Sequence, residues 1–213
     1  MSRRRRRRAR DKWRSKVWYR VFSPKYFGEV ELFSIPVTEG QSPVGRTVEA
    51  TLYDLTGDPA HQTIIMKFQI NGVKELRADT FFKGHEYARD YLRSLTRRGS
   101  SKIDAIINVK TRDGVLIRVY PMACTAHRVK TSQQRAIRKV MFDIVEEKAK
   151  NLNFDQFVQE MILGKIASDI YNEAKKIAPL RHVGFRKSKV LSPGEAFKPK
   201  PEPQTTPAKE AEA

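Results

Sequence analysis

Cys124 and His127 are the pair of residues in this sequence whose types and spacing come nearest to a metal site or a nucleophilic active site. A structural zinc site would need a second pair at ligand spacing, and a catalytic cysteine would need a third group that orients the histidine. Neither is present, and His61, His85 and His182 are scattered along the chain. The pattern therefore predicts no metal centre and no cysteine-based catalysis.

A second pattern, at 40–47, comes close to a phosphate-binding loop. It reads GQSPVGRT, one residue away from G-x-x-x-x-G-K-[ST]. Arg46 stands in place of the lysine, and Pro43 removes a backbone N–H donor. The loop would also have to begin a helix, whereas residues 47–53 alternate like a strand. We therefore reject a nucleotide site here.

The remaining acidic candidates do not form a catalytic pair. Glu146 and Glu147 are adjacent, so they lie on different faces of a helix, and we expect them to pair with Lys150 or to be solvated. No glycine-rich nucleotide loop, carboxylate pair or serine elbow stands out. The sequence therefore predicts a protein that is not an enzyme and has no cofactor.

Charge is the strongest signal in the chain. Lys and Arg number 42 against 24 Asp and Glu, a net charge of +18. Residues 1–20 hold eleven basic residues and one acid, residues 21–120 hold fourteen and twelve, and residues 121–213 hold seventeen and eleven. A solubilising surface would mix the two signs, unlike Arg3–Arg8. The distribution is typical of a nucleic-acid-binding protein.

Three basic segments are predicted to bind phosphates, because guanidinium and ammonium groups are natural partners of phosphate oxygens. They are the N-terminal arm, the loop at 125–131 with the helix start after it, and a strand near the end of the chain. Their cations are Arg3, Arg4, Arg5, Arg6, Arg7, Arg8, Arg10, Lys12, Arg14 and Lys16; Arg128, Lys130, Arg135, Arg138 and Lys139; and Arg181, Arg186, Lys187 and Lys189. Aromatic residues between them are too few to predict a stacking platform, so a folded RNA suits the pattern best.

Residues 103–145 are the segment that must position the second group of cations. Two alternating runs around Asp113-Gly114 predict a hairpin, and the basic loop then leads into a helix from Ser132. A last strand at 180–191, with Val183 and Phe185 inward, could pair near the hairpin and bring the second and third groups onto one face.

Earlier segments predict a strand-rich body, and later ones a helical group. We expect strands at 17–22, 47–53 and 62–70, and an extended or bent segment at 26–35 that Pro36 stops. A turn at Asn71-Gly72 should lead to a return strand at 73–82, ended by Gly84. Helices are expected at 85–98, at 132–151, at 153–162 (with Asn153 in a capping box with Gln156) and from Lys165 to before Pro179. Trp18 is expected in the core, whereas Trp13 could pack or stack on a base.

These elements predict an α+β fold, an antiparallel sheet or partly open β-barrel covered by helices. The predicted division is a disordered basic arm at 1–16, a single globular domain at 17–191 (strand-rich at 17–120, helical at 132–178, final strand at 180–191) and a disordered Pro/Glu/Lys-rich tail at 192–213. One cysteine, no apolar run near ~20 residues and no signal peptide predict an intracellular protein without a membrane partner.

Several segments, which occur in the family's order, resemble the eukaryotic- and archaeal-type small-subunit ribosomal protein S1 family, also called S3a-like. They are VKTRDGVLIRV at 109–119, QRAIRKVM at 134–141, PLRHVGFRKSKV at 179–190, and GRTVE at 45–49 with Leu52 and Asp54-Leu55 nearby. The similarity covers about residues 12–191, and the short tail and Arg-only start resemble archaeal members.

The resemblance implies a structural, non-enzymatic role in the cytoplasmic ribosome. Members lie on the platform of the small subunit, near the mRNA exit and the 3′ end of the small-subunit rRNA, where they touch neighbouring ribosomal proteins and could meet mRNA. Family residues carry over only as a basic class, at Arg128, Lys130, Arg135, Arg138, Lys139, Arg186, Lys187 and Lys189. The poly-Arg start is not a family hallmark, so its rRNA contact is inferred from charge.

A second hypothesis rests on charge alone: a general nucleic-acid-binding protein of the chromatin type, whose arm wraps duplex DNA. It predicts similar affinity for duplex DNA and structured RNA. An RNA-modifying enzyme is a more distant alternative, since no cofactor site is visible.

Overall fold

The computed structural model describes Trp13, residues 16–38 and residues 40–192. Within these residues nine strands form one sheet, and five α-helices accompany it. The strands are β1 (Lys16–Phe22), β2 (Glu31–Thr38), β3 (Thr47–Thr51), β4 (Ile64–Lys74), β5 (Arg77–Tyr87), β6 (Lys102–Asp104), β7 (Ile107–Lys110), β8 (Leu116–Thr125) and β9 (Leu180–Ser192). The helices are α1 (Tyr53–Thr56), α2 (Arg89–Leu95), α3 (Thr131–Asn151), α4 (Phe154–Ile162) and α5 (Lys165–Ala174). The α+β prediction is confirmed.

The predicted hairpin lies at the centre of the helix-covered half. β7 and β8 pair antiparallel around Gly114, whose φ of 81° is the left-handed conformation that glycine adopts without steric cost. β8 then continues through Pro121 and also pairs with β6, so the first arm of the hairpin is two short strands rather than one. β9 pairs antiparallel with the whole of β8, which confirms the predicted final strand and its position beside the hairpin.

The first five strands form the other half of the sheet, and two predictions there are wrong. Pro36 does not stop β2 but lies within it, opposite Trp18. β2 is an edge strand, where a missing N–H costs no ladder hydrogen bond. Asn71-Gly72 is not the turn between β4 and β5 but an irregular point inside β4. The chain turns later, at Glu75, whose φ is 53°.

Gly84 joins the two halves, and its predicted role was also wrong. It does not end a strand: β5 runs on to Tyr87, and the following helix is only α2. Gly84 lies opposite Lys189 in the short pairing of β5 with β9. A Cβ at this position would lie 2.3 Å from the Ser188 carbonyl oxygen, so the strands can approach this closely only at a glycine.

Helices α3, α4 and α5 cover one face of the sheet. Their apolar stripes, which include Ile137, Met141, Phe157 and Ile170, are buried against inward residues of β7, β8 and β9. Phe185 is buried as predicted, whereas Val183 is only partly buried. The three helices begin within a residue or two of the predicted positions, because their periodicity of 3.6 is unambiguous. Arg118 of β8 and Lys187 and Lys189 of β9 lie on the opposite face of these strands.

The N-terminus of α4 is capped by a residue that its own sequence does not indicate. Asn153 makes no capping hydrogen bond with its side chain, so the predicted capping box is absent. Instead Asp113 Oδ2, in the hairpin turn, accepts from Phe154 N at 2.7 Å. The hairpin that carries the basic loop is thereby tied to the helical layer.

We predict that Asp113→Ala lowers the free energy of unfolding by about 1 kcal/mol, the usual effect of a lost helix cap. Asn153→Ala should have a clearly smaller effect, since that side chain caps nothing. Urea unfolding of both variants measures the difference. Equal losses would show that Asp113 does not cap α4.

His85 is a buried titratable group at the junction of the two halves. Its ring nitrogens lie 2.7 Å from Ser188 Oγ and 3.0 Å from the Phe185 carbonyl oxygen. Burial lowers the pKa of His85 to about 4. Protonation of this ring would place a charge in the core beside β9.

The free energy of unfolding should therefore fall by about 2 kcal/mol between pH 7 and pH 5. Below its normal pKa, His85 takes up a proton in the unfolded chain but stays neutral in the folded one, so acid favours unfolding. Burial also lowers the pKa of His182, which acts in the same direction. Denaturant unfolding at the two pH values tests this, and His85→Gln should flatten the dependence. If the free energy of unfolding of His85→Gln depended on pH as strongly as that of the original chain, His85 would not be the group responsible.

Candidate nucleic-acid interface

The loop at 126–130, between β8 and α3, is held in a fixed position although it is exposed. Ser101 Oγ accepts from Val129 N at 3.2 Å, and Thr125 Oγ1 donates to the His127 carbonyl oxygen at 2.6 Å. At the helix start, Gln133 Oε1 accepts from Lys130 N at 3.2 Å. The cations of this loop are therefore presented from an ordered backbone.

Four of the predicted cations lie here without an acidic partner among the described residues. Arg128, Lys130, Arg135 and Lys139 are all exposed and form no ion pair with a described carboxylate. Arg135 and Lys139 are four residues apart, so they share one face of α3. The helix dipole adds positive potential at the same end. We call these four residues the α3 cluster.

Several other cations on the helical layer are neutralised by carboxylates. Lys148 lies 2.9 Å from Asp169, Lys165 lies 2.5 Å from Glu160, and Lys176 pairs with Glu173. Glu146 is 4.0 Å from Lys150, as the spacing predicts. The α3 cluster differs in this respect from these paired cations of the same helical layer.

Asp104 joins the second and third basic segments. Arg138 Nε donates to the Asp104 carbonyl oxygen at 3.1 Å, and Arg186 Nη1 lies 3.5 Å from its carboxylate. Lys102 is the third cation on the same residue, at 3.2 Å. The start of α3 and the middle of β9 thus meet at one point, as the pairing of β8 with β9 allows.

The cations of β9 differ among themselves. Lys187 pairs with Glu86 at 3.3 Å, whereas Lys189 is exposed and lies opposite Arg118 of β8. Arg181 donates to the Leu95 carbonyl oxygen at the end of α2. Arg181 is therefore at the far end of β9 from Lys189, about 26 Å along an extended strand.

A group of basic residues that the sequence did not single out lies beside this surface. Arg89, Arg93, Arg97 and Arg98 are exposed in and after α2, and none pairs with a carboxylate in the part of the chain that the structure describes. The chain after these arginines continues to Ser101. Its hydroxyl accepts a hydrogen bond from Val129 N in the loop of the α3 cluster, and its carbonyl oxygen accepts one from Thr125 Oγ1. Four arginines within ten residues were a sufficient signal, although the three predicted basic segments do not include them.

The predicted residues of the N-terminal arm cannot be placed with the rest. Arg3–Arg8, Arg10, Lys12 and Arg14 lie outside the described residues, as does the tail from residue 193. Lys16 is the first residue of β1, with its Nζ 3.5 Å from the centroid of the Trp13 ring. Trp18 is 54% exposed, so its expected place in the core is wrong.

Cys124 and His127 lie in different environments. Cys124 is 1% exposed at the end of β8, and burial raises the pKa of its thiol, whereas His127 is exposed in the loop. A thiol held protonated in the core is a poor ligand and a poor nucleophile.

No cluster of three or more His, Cys, Asp or Glu residues suited to a metal occurs among the described residues. Nor does any helix among them have the length and apolar character needed to cross a membrane.

Comparison with known proteins identifies the class of protein to which this fold and basic surface belong. Residues 4–193 match the model of the ribosomal S3Ae family, which makes the chain a ribosomal protein. The small ribosomal subunit protein eS1 of Sulfolobus acidocaldarius is 49% identical over 183 residues, 85% of this chain and 93% of the relative. Those of Ignicoccus hospitalis and Pyrobaculum calidifontis are 46% identical over 204 residues and 49% identical over 182 residues. The alignments cover 95% and 85% of this chain, and 94% and 82% of those relatives.

The chain belongs to the ribosomal S3Ae family. This membership confirms the family resemblance described from the sequence. The family consists of structural proteins of the ribosome, so the prediction that the chain is not an enzyme is also confirmed.

Proposed function

We propose that this chain is a structural constituent of the small ribosomal subunit and binds rRNA through the α3 cluster. The relatives are named as small ribosomal subunit proteins, and the chain is similar to them over most of its length. The single observation that carries the RNA contact is the set of four exposed, unpaired cations on an ordered loop and helix start.

Binding by this surface depends on charge and shape. Exposed guanidinium and ammonium groups at the α3 cluster, with Lys189 and Arg118 on the neighbouring strands, match phosphates at irregular spacings in a folded RNA. The arginines of α2 extend the same surface past Ser101. Base-specific readout is not expected, because contacts of Lys and Arg with phosphates carry no sequence information.

In the ribosome we place the chain on the platform of the small subunit, near the mRNA exit and the 3′ end of the rRNA. There it would contact neighbouring small-subunit proteins, and mRNA near the exit is a further proposed contact. It would thereby support translation in the cytoplasm. The cations of the N-terminal arm and of β9 belong to the proposed RNA contact.

Sedimentation of a lysate that contains the tagged chain tests this function. In a gradient at ~0.5 M salt, weakly held phosphate binders are stripped from their partners. We expect the chain to migrate with the small subunit. Release to the top of the gradient, or migration with DNA, would contradict the proposal and favour a general nucleic-acid-binding protein.

A further inference from the structure

The solvent side of β1 carries an alternation of basic and aromatic residues. Val17, Tyr19 and Val21 face inward, and Val21 is fully buried in a small cluster with Ile70 and Ala78. The opposite side of the strand therefore presents Lys16, Trp18, Arg20 and Phe22, because successive side chains alternate between the two faces.

Trp18 has an open surface around its ring. Pro36, its partner in β2, is only partly exposed, and the next residues on the same face of β2 are Ser34 and Thr38. These are small side chains. Trp18 is the one large exposed hydrophobic residue within β1 and β2. The Trp18 ring therefore stands exposed beside smaller side chains. A second exposed indole, Trp13, lies at the Lys16 end of the strand, with its ring centroid 3.5 Å from Lys16 Nζ.

The two ends of this side differ in charge. At the Phe22 end, the Arg77 guanidinium lies 4.3 Å from the ring centroid and is held by Asp79 at 2.8 Å and Glu29 at 3.1 Å. Glu31 lies 3.9 Å from Arg20, and both side chains are well exposed, so this pair is weak.

At the other end, Lys16 has no carboxylate partner in the described part of the chain and lies over the Trp13 ring. The sequence beyond it carries the cations of the arm. A polyanion on this face would therefore extend from Trp18 toward Lys16.

We infer that this face, Lys16-Trp18-Arg20 on β1, binds single-stranded RNA by stacking an unpaired base on the Trp18 indole. Lys16 and Arg20 lie on either side of the ring along the strand, where they can contact the phosphates that flank the stacked base. Every base has a π-face, so the contact is tolerant of sequence. A duplex hides that face within its own stack and would gain only the cation contacts.

This inference does not rest on the proposed rRNA contact of the α3 cluster, which is on a different part of the chain. The sequence-based expectation was that aromatic residues are too few for a stacking platform, and the proposed contact needs only one ring. One exposed indole between two cations is enough for a single base.

Fluorescence anisotropy of the full chain with labelled RNA tests the inference. The probes are an eight-nucleotide oligoadenylate and a blunt RNA duplex of the same length, at the same salt concentration. Trp18→Thr should weaken oligoadenylate binding by about five- to hundredfold, the range for one base stacked on an aromatic ring, and duplex binding by less than twofold. Threonine suits an exposed strand position, so the fold should be retained.

Two further variants test whether the loss of oligoadenylate affinity is caused by the missing ring at position 18. Trp18→Phe should restore most of the affinity, because phenylalanine still offers a ring. Tyr53→Ala, which removes another exposed aromatic residue, should leave the affinity unchanged.

In a Trp13→Phe background, oligoadenylate should also quench the fluorescence of Trp18. Unchanged affinity of Trp18→Thr, or the absence of quenching, would overturn the inference. So would a Trp18→Thr variant that binds oligoadenylate normally but fails to enter subunits, because the face would then meet a neighbouring protein.

Discussion

Replacing Arg128, Arg135 and Lys139 with alanine should lower the affinity of the chain for small-subunit rRNA by about two orders of magnitude. Each exposed, charge-assisted contact with phosphate is worth about 1 kcal/mol, and three are removed. The slope of log affinity against log salt should also become shallower by about 2–3, since each phosphate contact releases about one counterion. Filter binding across a salt series measures both quantities.

A matched control separates this effect from net charge. Lys148, Lys165 and Lys176 are also surface cations, and their replacement by alanine removes the same total charge. Each of the three is paired with a carboxylate, so few of their charges are available to RNA. The control variant should lose less than tenfold in affinity. Equal losses in the two variants would mean that RNA responds to the overall charge and that the α3 cluster has no special role.

Gly84→Ala should destabilise the protein by about 2–4 kcal/mol. The added Cβ would lie 2.3 Å from the Ser188 carbonyl oxygen and 3.3 Å from Lys189 Cα, and both are backbone atoms that cannot rotate away. Relief of the clash must open the pairing of β5 with β9, where His85 also bonds Ser188. Overpacking of this kind is among the more damaging single substitutions. Chemical denaturation of the variant and the original chain measures this difference in the free energy of unfolding.

Gly72→Ala is the corresponding control within the same sheet. No atom lies within 4 Å of a Cβ built at Gly72, so alanine meets open space there. It should leave stability unchanged or raise it by up to about 1 kcal/mol, because alanine restricts the unfolded chain. If Gly84→Ala were equally harmless, the two halves of the sheet would not depend on close contact at this position.

The elements that the sequence predicted well are those whose signal is local. The helix from Ser132 has a clear apolar stripe, and Asp113-Gly114 lies between two β-branched runs, so α3 and the β7–β8 hairpin were found nearly in place. Periodicity also located β9, although it could not show the strands beside it.

Predictions failed where a distant segment decides the local structure. Gly84 looked like a terminator because nothing in its neighbourhood reveals that β9 passes beside it. Pro36 is tolerated only because β2 is an edge strand, and Asn153 is replaced as a cap by Asp113, forty residues earlier. Trp18 was assigned to the core from its hydrophobicity alone, although it lies on the outer side of an alternating strand. For Gly84, Pro36 and Asn153 the deciding contact is tertiary, and one sequence does not contain it in readable form.

The candidate site was predictable as a set of cations but not as an arrangement. The sequence could not show that Asp104 and Glu86 neutralise Arg186 and Lys187 while the α3 cluster stays unpaired. This distinction depends on which strands are neighbours. It also determines which substitutions are informative.

The most direct test of the central claim is cleavage of rRNA by hydroxyl radicals generated at a chosen position on the assembled protein. Cys124 is buried and is the single cysteine, so an iron chelate can be attached at Ser132→Cys, on the exposed start of α3. Gln156→Cys, at the exposed start of α4, lies beyond the far end of α3 and serves as the comparison. In reconstituted small subunits, the α3 probe should cleave strongly and locally in the 3′ region of the rRNA, and the α4 probe should cleave there weakly. Strong cleavage from α4 with none from α3 would contradict the account, because the α3 cluster would then face away from the RNA.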